Sequence, residues 1–241
     1  MMIIPAVDIM DHRVVQLVGG KPGSEQITMP DPFETAMSWV NKGAKYLHLV
    51  DLDGAFGKKD NFSVISNIIK SAGVPVEVGG GIRDADKIHR LADVGADRII
   101  VGTKAIKDRK WLGEVASEYP GRIMLALDTK DGKITMKGWQ ETAPISLETM
   151  FDVIRDMPLA GILNTNVDVE GQGKGINAAA ACDFIQRCPH KVVASGGVTS
   201  EKDAMTLCEA GAVGAVVGIA IYTGAMKPWE WSSPWSVIPK K

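Results

Sequence analysis

Two glycine-rich stretches of this chain are close copies of each other, and they constrain the fold more than any other feature. The first covers residues 78–105 and the second covers residues 194–220. In each copy an apolar run ends in a pair of glycines, and a Gly-Ala dipeptide later leads to a second apolar run that also ends in glycine. This pattern predicts a strand, a glycine turn, a helix and a second strand. The equivalent glycines are Gly80 and Gly196, Gly81 and Gly197, Gly95 and Gly211, and Gly102 and Gly218.

Glycine turns in this setting are typical of phosphate sites. Because glycine has no side chain, backbone N–H groups can approach an anion closely, and the N-terminus of the following helix adds a favourable dipole. Two copies of the unit in one chain therefore predict two phosphate sites.

The same alternation of strand and helix continues through the rest of the chain. Short apolar runs such as residues 2–7 predict strands buried on both faces, as in a parallel sheet. Eight alternations favour a closed (β/α)8 TIM barrel over an open sheet, and 241 residues suit one such barrel. We expect a single α/β domain over residues 1–241, made of two duplicated half-barrels at about residues 1–120 and 121–225. The predicted helix starts are Asp31-Pro32, Asp84, Asp108, Ser146, Asn177 and Ser200.

A C-terminal tail, residues 226–241, departs from this alternation. It contains Trp229, Trp231 and Trp235 together with three prolines, which prevent a long helix. We expect the tail to pack its aromatic rings over the barrel, and a surface for a partner protein is the alternative.

Composition narrows the class of protein and its location. A net charge of −2 gives no reason to expect binding to nucleic acid or to an anionic membrane surface. The three cysteines are sparse and lack metal spacing, which indicates a reducing, cytoplasmic location and no metal site. The N-terminus does not resemble a signal peptide, and no stretch reaches the roughly 18 apolar residues that a membrane helix requires.

Two aspartates are the strongest catalytic candidates. Asp8 follows the first predicted strand and Asp128 follows the fifth, and active sites of such barrels lie at this end of the strands. The surrounding segments, PAVDIMDHRVVQ and LALDTKDGKITM, are themselves similar. A facing pair of carboxylates can divide acid and base roles when their environments separate the two pKa values. The alternative is that each aspartate caps its own loop, but a symmetric pair between two phosphate turns favours catalysis.

Four other residues could contribute to the site. Arg83 follows the first glycine turn and could bind a phosphate, a carboxylate or an amide, or form a surface ion pair with a nearby aspartate. Trp139 lies beyond Asp128 and could stack on a planar ring or pack at the rim. His48 lies in an apolar strand that ends at Asp51, so both residues could serve either the core or the site.

The combined motifs resemble the ProFAR isomerase family of histidine biosynthesis over about residues 1–225. The matching segments are PAVDI at Asp8, HLVDLDGA from His48, VGGGIR to Arg83, VGTKA, LALD with DGKITMKGW to Trp139, and ASGGV with VVGIAIY. The resemblance implies an Amadori rearrangement without a cofactor. Its substrate would be a small-molecule aminoaldose with a phosphate at each end. Separately, we expect the protein to be a monomer.

The resemblance also implies roles for individual residues. Asp8 would be the general base, Asp128 the general acid, and Thr165 would hydrogen-bond near Asp128 and the substrate. Trp139 would stack on the imidazole carboxamide. The residues implied at the two phosphates and their loops are Gly80, Gly81, Arg83, Gly102 and Thr103 on one side, and Gly175, Gly197, Gly218 and Ile219 on the other.

One loop departs from the family pattern, which has an aspartate before the glycine at residue 171. Here Glu170 occupies that place and could replace the aspartate with a longer reach. Three alternatives remain: an isomerase that also acts on phosphoribosyl anthranilate, the cyclase subunit of imidazole glycerol phosphate synthase, and a non-catalytic phosphate-binding barrel. The cyclase usually has a cysteine near the first aspartate and a lysine in the following loop, which Ile9 and residues 18–20 do not match.

Overall fold

The protein is a closed barrel of eight parallel strands with helices between them, as the sequence predicts. The structure is a computed structural model and describes residues 1–239. Each strand pairs in parallel with its neighbours, and the eighth pairs with the first through Met2–Gly214 and Pro5–Val217, which closes the barrel. The strands are β1 Met2–Met10, β2 Leu47–Asp51, β3 Val76–Gly79, β4 Arg98–Val101, β5 Ile123–Ala126, β6 Gly161–Thr165, β7 Val192–Ser195 and β8 Gly214–Val217.

The helices on the outside of the barrel begin at the capping residues predicted from the sequence. Asp31, Asp84 and Ser146 each accept a backbone hydrogen bond from the first turn of the helix that follows. Such caps satisfy N–H groups that would otherwise lack a partner. The helices are α1 Pro32–Asn41, α2 Phe62–Ser71, α3 Ala85–Asp93, α4 Arg109–Glu118, α5 Leu147–Ile154, α6 Ala178–Arg187, α7 Glu201–Ala210 and the short α8 Ile219–Tyr222. Within residues 1–239, no helix is long and apolar enough to cross a membrane.

Two apolar layers hold the barrel together. The larger layer lies between the strands and the helices, and the smaller layer fills the barrel interior. The interior layer consists of Ile4, Ala6, Tyr46, Ile100, Met124, Leu163, Val193 and Val216. This packed interior closes the N-terminal end of the barrel, so the open space lies at the C-terminal ends of the strands.

The first loop contains two short strands that the sequence did not predict. Arg13–Gln16 pairs antiparallel with the end of β1, and Ile27–Met29 pairs with Arg13–Gln16. The connecting turn has Asp11 and His12 at φ 49° and 57°. Such two-residue turns usually contain glycine, so Asp-His gave no hairpin signal. A second hairpin pairs Thr129–Lys130 with Lys133–Met136.

Short helices also follow several strands. Leu52–Ala55 follows β2 and Thr103–Lys107 follows β4, and the sequence predicted neither helix. Both lie at the C-terminal end of the barrel, next to the predicted site. Segments of four or five residues are too short for sequence periodicity to identify them.

The C-terminal tail packs across the N-terminal end of the barrel. Trp235 is fully buried and its ring lies against Trp39 and Trp229. The backbone N–H of Ile3 donates to the carbonyl of Trp235 at 2.9 Å. The tail therefore lies on the opposite side of the barrel from the predicted site, while residues 240–241 fall outside the described part.

Candidate active site

One cavity of about 480 Å³ opens at the C-terminal ends of the strands and gathers most of the predicted catalytic residues. Its size suits a metabolite rather than a macromolecule. The predicted residues that line it are Asp8, His48, Gly80, Asp128, Trp139, Thr165, Glu170, Gly197, Gly218 and Ile219. Both carboxylates of the predicted pair thus face one space, as the strand-end rule requires.

Asp8 lies near the end of β1 and is half-buried in this cavity. Burial disfavours its charged form and raises the pKa of its carboxyl to about 6, although the positive charge of His48 opposes this shift. The side-chain amide of Gln16 lies 3.4 Å from the Asp8 Oδ2 atom. Asp8 is therefore ionised near neutral pH but takes up a proton more readily than an ordinary aspartate.

Asp128 has different partners, although it occupies the corresponding place after β5. The indole Nε1 of Trp139 donates to its Oδ2 atom at 2.7 Å, and the backbone N–H of Thr165 donates to Oδ1 at 3.3 Å. Burial raises the pKa of Asp128, and these hydrogen bonds oppose the rise. The two carboxylates therefore differ in environment, which is what a division of acid and base roles requires.

Trp139 lines the cavity and donates to Asp128 through the edge of its indole ring. The ring also lies so close to Gly20 that a Cβ atom added there would be 2.8 Å from Trp139. Thr103 supports the same hairpin, because its hydroxyl accepts the N–H of Lys137 at 2.9 Å. If the indole moved away from Asp128 to stack on a substrate ring, Asp128 would lose this donor.

Glu170 lies with the aspartate pair. It lines the cavity, and burial together with the charges of Asp8 and Asp128 raises its pKa to about 7. The loop that departs from the family pattern thus contributes a third carboxyl to the site.

The two glycine turns adopt matching backbones. Gly80 and Gly81 have φ of 102° and 62°, and Gly196 and Gly197 have 94° and 75°. A Cβ at Gly81 would lie 2.1 Å from the Gly54 carbonyl oxygen, and one at Gly197 would lie 2.5 Å from that of Gly175. Both turns therefore require glycine for conformation and for space.

Comparison with known proteins identifies the family. The model of the histidine biosynthesis protein family matches residues 2–227. The chain belongs to this family. A Methanocaldococcus jannaschii relative is 44% identical over 227 residues, covering 93% of this chain and 94% of its own. A Gemmatimonas aurantiaca relative is 40% identical over 226 residues, covering 94% of this chain and 95% of its own.

These two relatives share one name, and so does a third from Methanothrix thermoacetophila, which is 42% identical and covers 93% of each chain. All three are named 1-(5-phosphoribosyl)-5-((5-phosphoribosylamino)methylideneamino) imidazole-4-carboxamide isomerase. The family match contains every candidate site residue and ends before the tryptophan-rich segment at residues 228–239.

Some predicted site residues of this family member lie outside the cavity lining. Arg83 donates to the carbonyls of Gly54 and Ala55 at 3.1 and 2.8 Å, and does not form the surface ion pair that was the alternative. Asp51 is buried and accepts from Lys87 at 3.0 Å. Both residues hold the loop after β2 in place. The cavity lining also lacks Gly81, Gly102, Thr103 and Gly175.

One residue of the site was missed by the sequence analysis. Gln16 is only 4% exposed, contacts Asp8, and would touch a Cβ at Gly218 through its Oε1 atom at 2.0 Å. In the sequence, only the position of Gln16 directly after Val14 and Val15 distinguishes it from other polar residues. Within residues 1–239, no group of three or more metal-ligating side chains is arranged for a metal ion.

Proposed function

We propose that the protein is a ProFAR isomerase that rearranges an aminoaldose with a phosphate at each end into its aminoketose. The family membership and the isomerase name shared by its relatives support the reaction class. The observation that carries the mechanism is the pair Asp8 and Asp128, which face one cavity with different hydrogen-bond partners.

The proposed reaction needs one acid and one base. Asp128 protonates the ribose ring oxygen, which opens the ring to a protonated imine. Asp8 then removes the proton from the adjacent carbon, which gives an enolamine that tautomerises to the aminoketose. A general base with a pKa near 6 is ionised at neutral pH and still takes up a proton readily.

Trp139 connects substrate binding to the acid. Its indole N–H stabilises the ionised form of Asp128 in this structure. When the indole leaves to stack on the imidazole carboxamide, Asp128 loses that donor, and burial then favours its protonated form. Substrate binding would thus help to load the acid with its proton.

The glycine turns at Gly80–Gly81 and Gly196–Gly197 would hold the two phosphates, together with the segments that begin at Gly102 and Gly218. We further propose that the enzyme acts as a monomer in the cytoplasm. Phosphoribosyl anthranilate is the second candidate substrate, since the same acid–base pair could rearrange it.

The test supplies ProFAR and phosphoribosyl anthranilate separately to the purified protein and follows the absorbance of the products. We expect turnover of ProFAR, with Asp8→Asn and Asp128→Asn each lowering kcat by about 10²- to 10⁴-fold while substrate still binds. Asp11→Asn is the matched control, because Asp11 lies in the next turn and is exposed. No turnover of either compound would overturn the proposed function, and near-normal turnover by Asp8→Asn would overturn the assigned base.

Folding of the Asp8→Asn variant can be checked independently. The folded-state pKa of Asp8 lies above the unfolded value, so its ionised form costs stability above about pH 6. Removing that charge should leave the thermal midpoint at pH 8 equal to or higher than that of the wild type. A loss of activity with a raised midpoint then reflects chemistry and not unfolding.

A further inference from the structure

A row of three ionisable side chains crosses the barrel interior beneath the catalytic cavity. His48 on β2 is directly opposite Glu77 on β3, and Glu77 is directly opposite Arg98 on β4. Adjacent parallel strands place paired residues at one level, so the three side chains form a continuous row. Neither Glu77 nor Arg98 lines the cavity, whereas His48 does.

The centre of this row is a carboxylate without access to water. Glu77 is 0% exposed, and its two oxygens have separate partners: His48 Nδ1 lies 2.7 Å from Oε1, and Arg98 Nη1 lies 3.3 Å from Oε2. A buried carboxylate is tolerated when cations and hydrogen bonds compensate for its lost hydration. Arg98 supplies one permanent positive charge, and it also lies over the ring of Tyr46.

The other side of His48 faces the catalytic carboxyls. The groups whose charges act on it are Glu77 from β3, Asp8 from β1 and Asp128 from the loop after β5, and its own charge acts on Glu170. With Nδ1 committed to Glu77, the only free ring nitrogen is Nε2, on a side chain that lines the cavity. This imidazole therefore has Glu77 beside it at the same level and shares the cavity with the other carboxyls.

We propose that Glu77 and Arg98 hold His48 as an imidazolium, and that this buried positive charge keeps Asp8 ionised so that Asp8 can accept the substrate proton. His48 is then a positioning residue that acts through Asp8. The charge state of His48 is inferred from the row that it forms with Glu77 and Arg98. Its effect on catalysis rests on the function proposed above.

The electrostatic directions agree with this arrangement. Burial alone would lower the pKa of His48, but its hydrogen bond to Glu77 and the charges of Glu77, Asp8 and Asp128 outweigh burial and raise it. The positive charge in turn lowers the pKa of Asp8 against the opposing effect of burial. Without the imidazolium, Asp8 would keep its proton to a higher pH and would be a poorer base at neutrality.

Histidine NMR of the full chain tests the charge state without any substrate. The chain has four histidines, so comparison with His48→Gln assigns the signals of His48 in ¹⁵N-histidine-labelled protein. We expect His48 to remain an imidazolium at about pH 7.5, above the ordinary histidine pKa, and to become neutral there in Glu77→Gln. A neutral His48 in the wild type at that pH would overturn the proposal.

The effect on the base is tested by carboxyl NMR and by kinetics. In Glu77→Gln we expect the titration midpoint of Asp8, assigned with Asp8→Asn, to rise by about one pH unit. The acidic limb of kcat/KM should move with it, so that activity near pH 5 falls about tenfold and recovers towards pH 8. Glu118→Gln is the matched control, because Glu118 lies 3.6 Å from His89 at the surface and should change neither measurement.

Two further experiments distinguish effects on folding from effects on function. Glu77→Gln leaves Arg98 without its buried partner, so the double variant Glu77→Gln with Arg98→Met removes both charges and should show the same shift of Asp8. An unmoved Asp8 midpoint in a folded variant overturns the proposal. If the wild type turned over neither aminoaldose, the proposed function would fail while the two NMR titrations would still decide the role of the row.

Discussion

Trp235 offers a direct test of whether the C-terminal tail is an integral part of the fold. Its ring is fully buried against Trp39 and Trp229, with centroid distances of 6.4 and 5.9 Å. Its Nε1 donates to the carbonyl of Lys42 at 2.8 Å. We expect Trp235→Ala to lower the free energy of unfolding substantially without impairing catalysis.

The magnitude follows from the contacts that are lost. A buried tryptophan removes about 150–250 Å² from water, which at about 25 cal/mol/Å² corresponds to about 4–6 kcal/mol. Measured truncations of large aromatic residues cost about 3–5 kcal/mol, and an unpaired carbonyl at Lys42 adds about 1 kcal/mol. We therefore expect a loss of about 4–5 kcal/mol for Trp235→Ala. Trp235→Phe, which keeps most of the ring but not the donor, should cost about 1–2 kcal/mol.

Urea unfolding followed by far-UV circular dichroism measures this loss, because the tryptophan change itself alters fluorescence. In a chain of this size each kcal/mol lowers the thermal midpoint by about 2–4 °C, so Trp235→Ala should melt about 8–20 °C lower. Ile238→Ala is the control from the same tail, because Ile238 is 66% exposed and should change stability by less than about 0.5 kcal/mol. A loss below about 1 kcal/mol for Trp235→Ala would refute the integral role of the tail. Loss of isomerase activity in the folded variant at 25 °C would refute the separation of the tail from the site.

Two further predictions concern the cavity. Trp139→Phe keeps a ring but removes the donor to Asp128, so the Asp128 carboxyl should titrate at higher pH in ¹³C NMR, and an unchanged titration would contradict the role of that hydrogen bond. Glu170 has a pKa of about 7, so above neutrality it adds a third negative charge beside Asp8 and Asp128. We therefore expect kcat/KM of the wild type to fall from pH 7 to 8.5 as Glu170 ionises. Glu170→Gln mimics the protonated form, so it should keep activity at pH 6 and show a smaller fall. An equal fall in both proteins would show that Glu170 is not its source.

Local sequence rules located the elements and the ends of the strands. The cap of α1 at Asp31 and that of α3 at Asp84 depend on side chains and N–H groups within one helical turn, so a short window contains the whole interaction. Asp8 and Asp128 were found by a rule of the fold, which places the active site where barrel strands end. Neither step required knowledge of which side chains meet across the barrel.

The interactions that define the site depend on contacts between distant parts of the chain. Glu77 meets His48 and Arg98 only through the register of three strands, and the sequence spacing of these residues carries no periodic signal. Trp139 was predicted at the mouth, but its bond to Asp128 depends on how the hairpin after β5 folds back. Arg83 shows the opposite case, since its position after a glycine turn suggested a ligand contact but its guanidinium holds the loop after β2.

The internal similarity of the sequence also extends further than the glycines. The pairs Ile9–Val14 and Met10–Arg13 in the first hairpin correspond to Thr129–Ile134 and Lys130–Lys133 in the second. Both turns have positive φ at their two central residues. This agreement supports our proposal that the chain is built from two duplicated halves, and the repeat itself could have predicted the first hairpin from the second.

Equivalent backbones with unequal side chains account for how two similar aspartates could take different roles. In the aligned halves Gln16 corresponds to Met136, so the strand after Asp8 supplies an amide near its carboxylate while the strand after Asp128 supplies an apolar side chain. Asp128 receives its hydrogen bonds from Trp139 and Thr165 instead. The two ends of the cavity also differ. Thr103 and Ile219 are equivalent in the repeat, but Thr103 binds the hairpin after β5, whereas Ile219 lines the cavity. A substrate with two phosphates would therefore meet two unlike ends, which fixes its direction and determines which aspartate lies beside the ring oxygen and which beside the carbon that loses its proton.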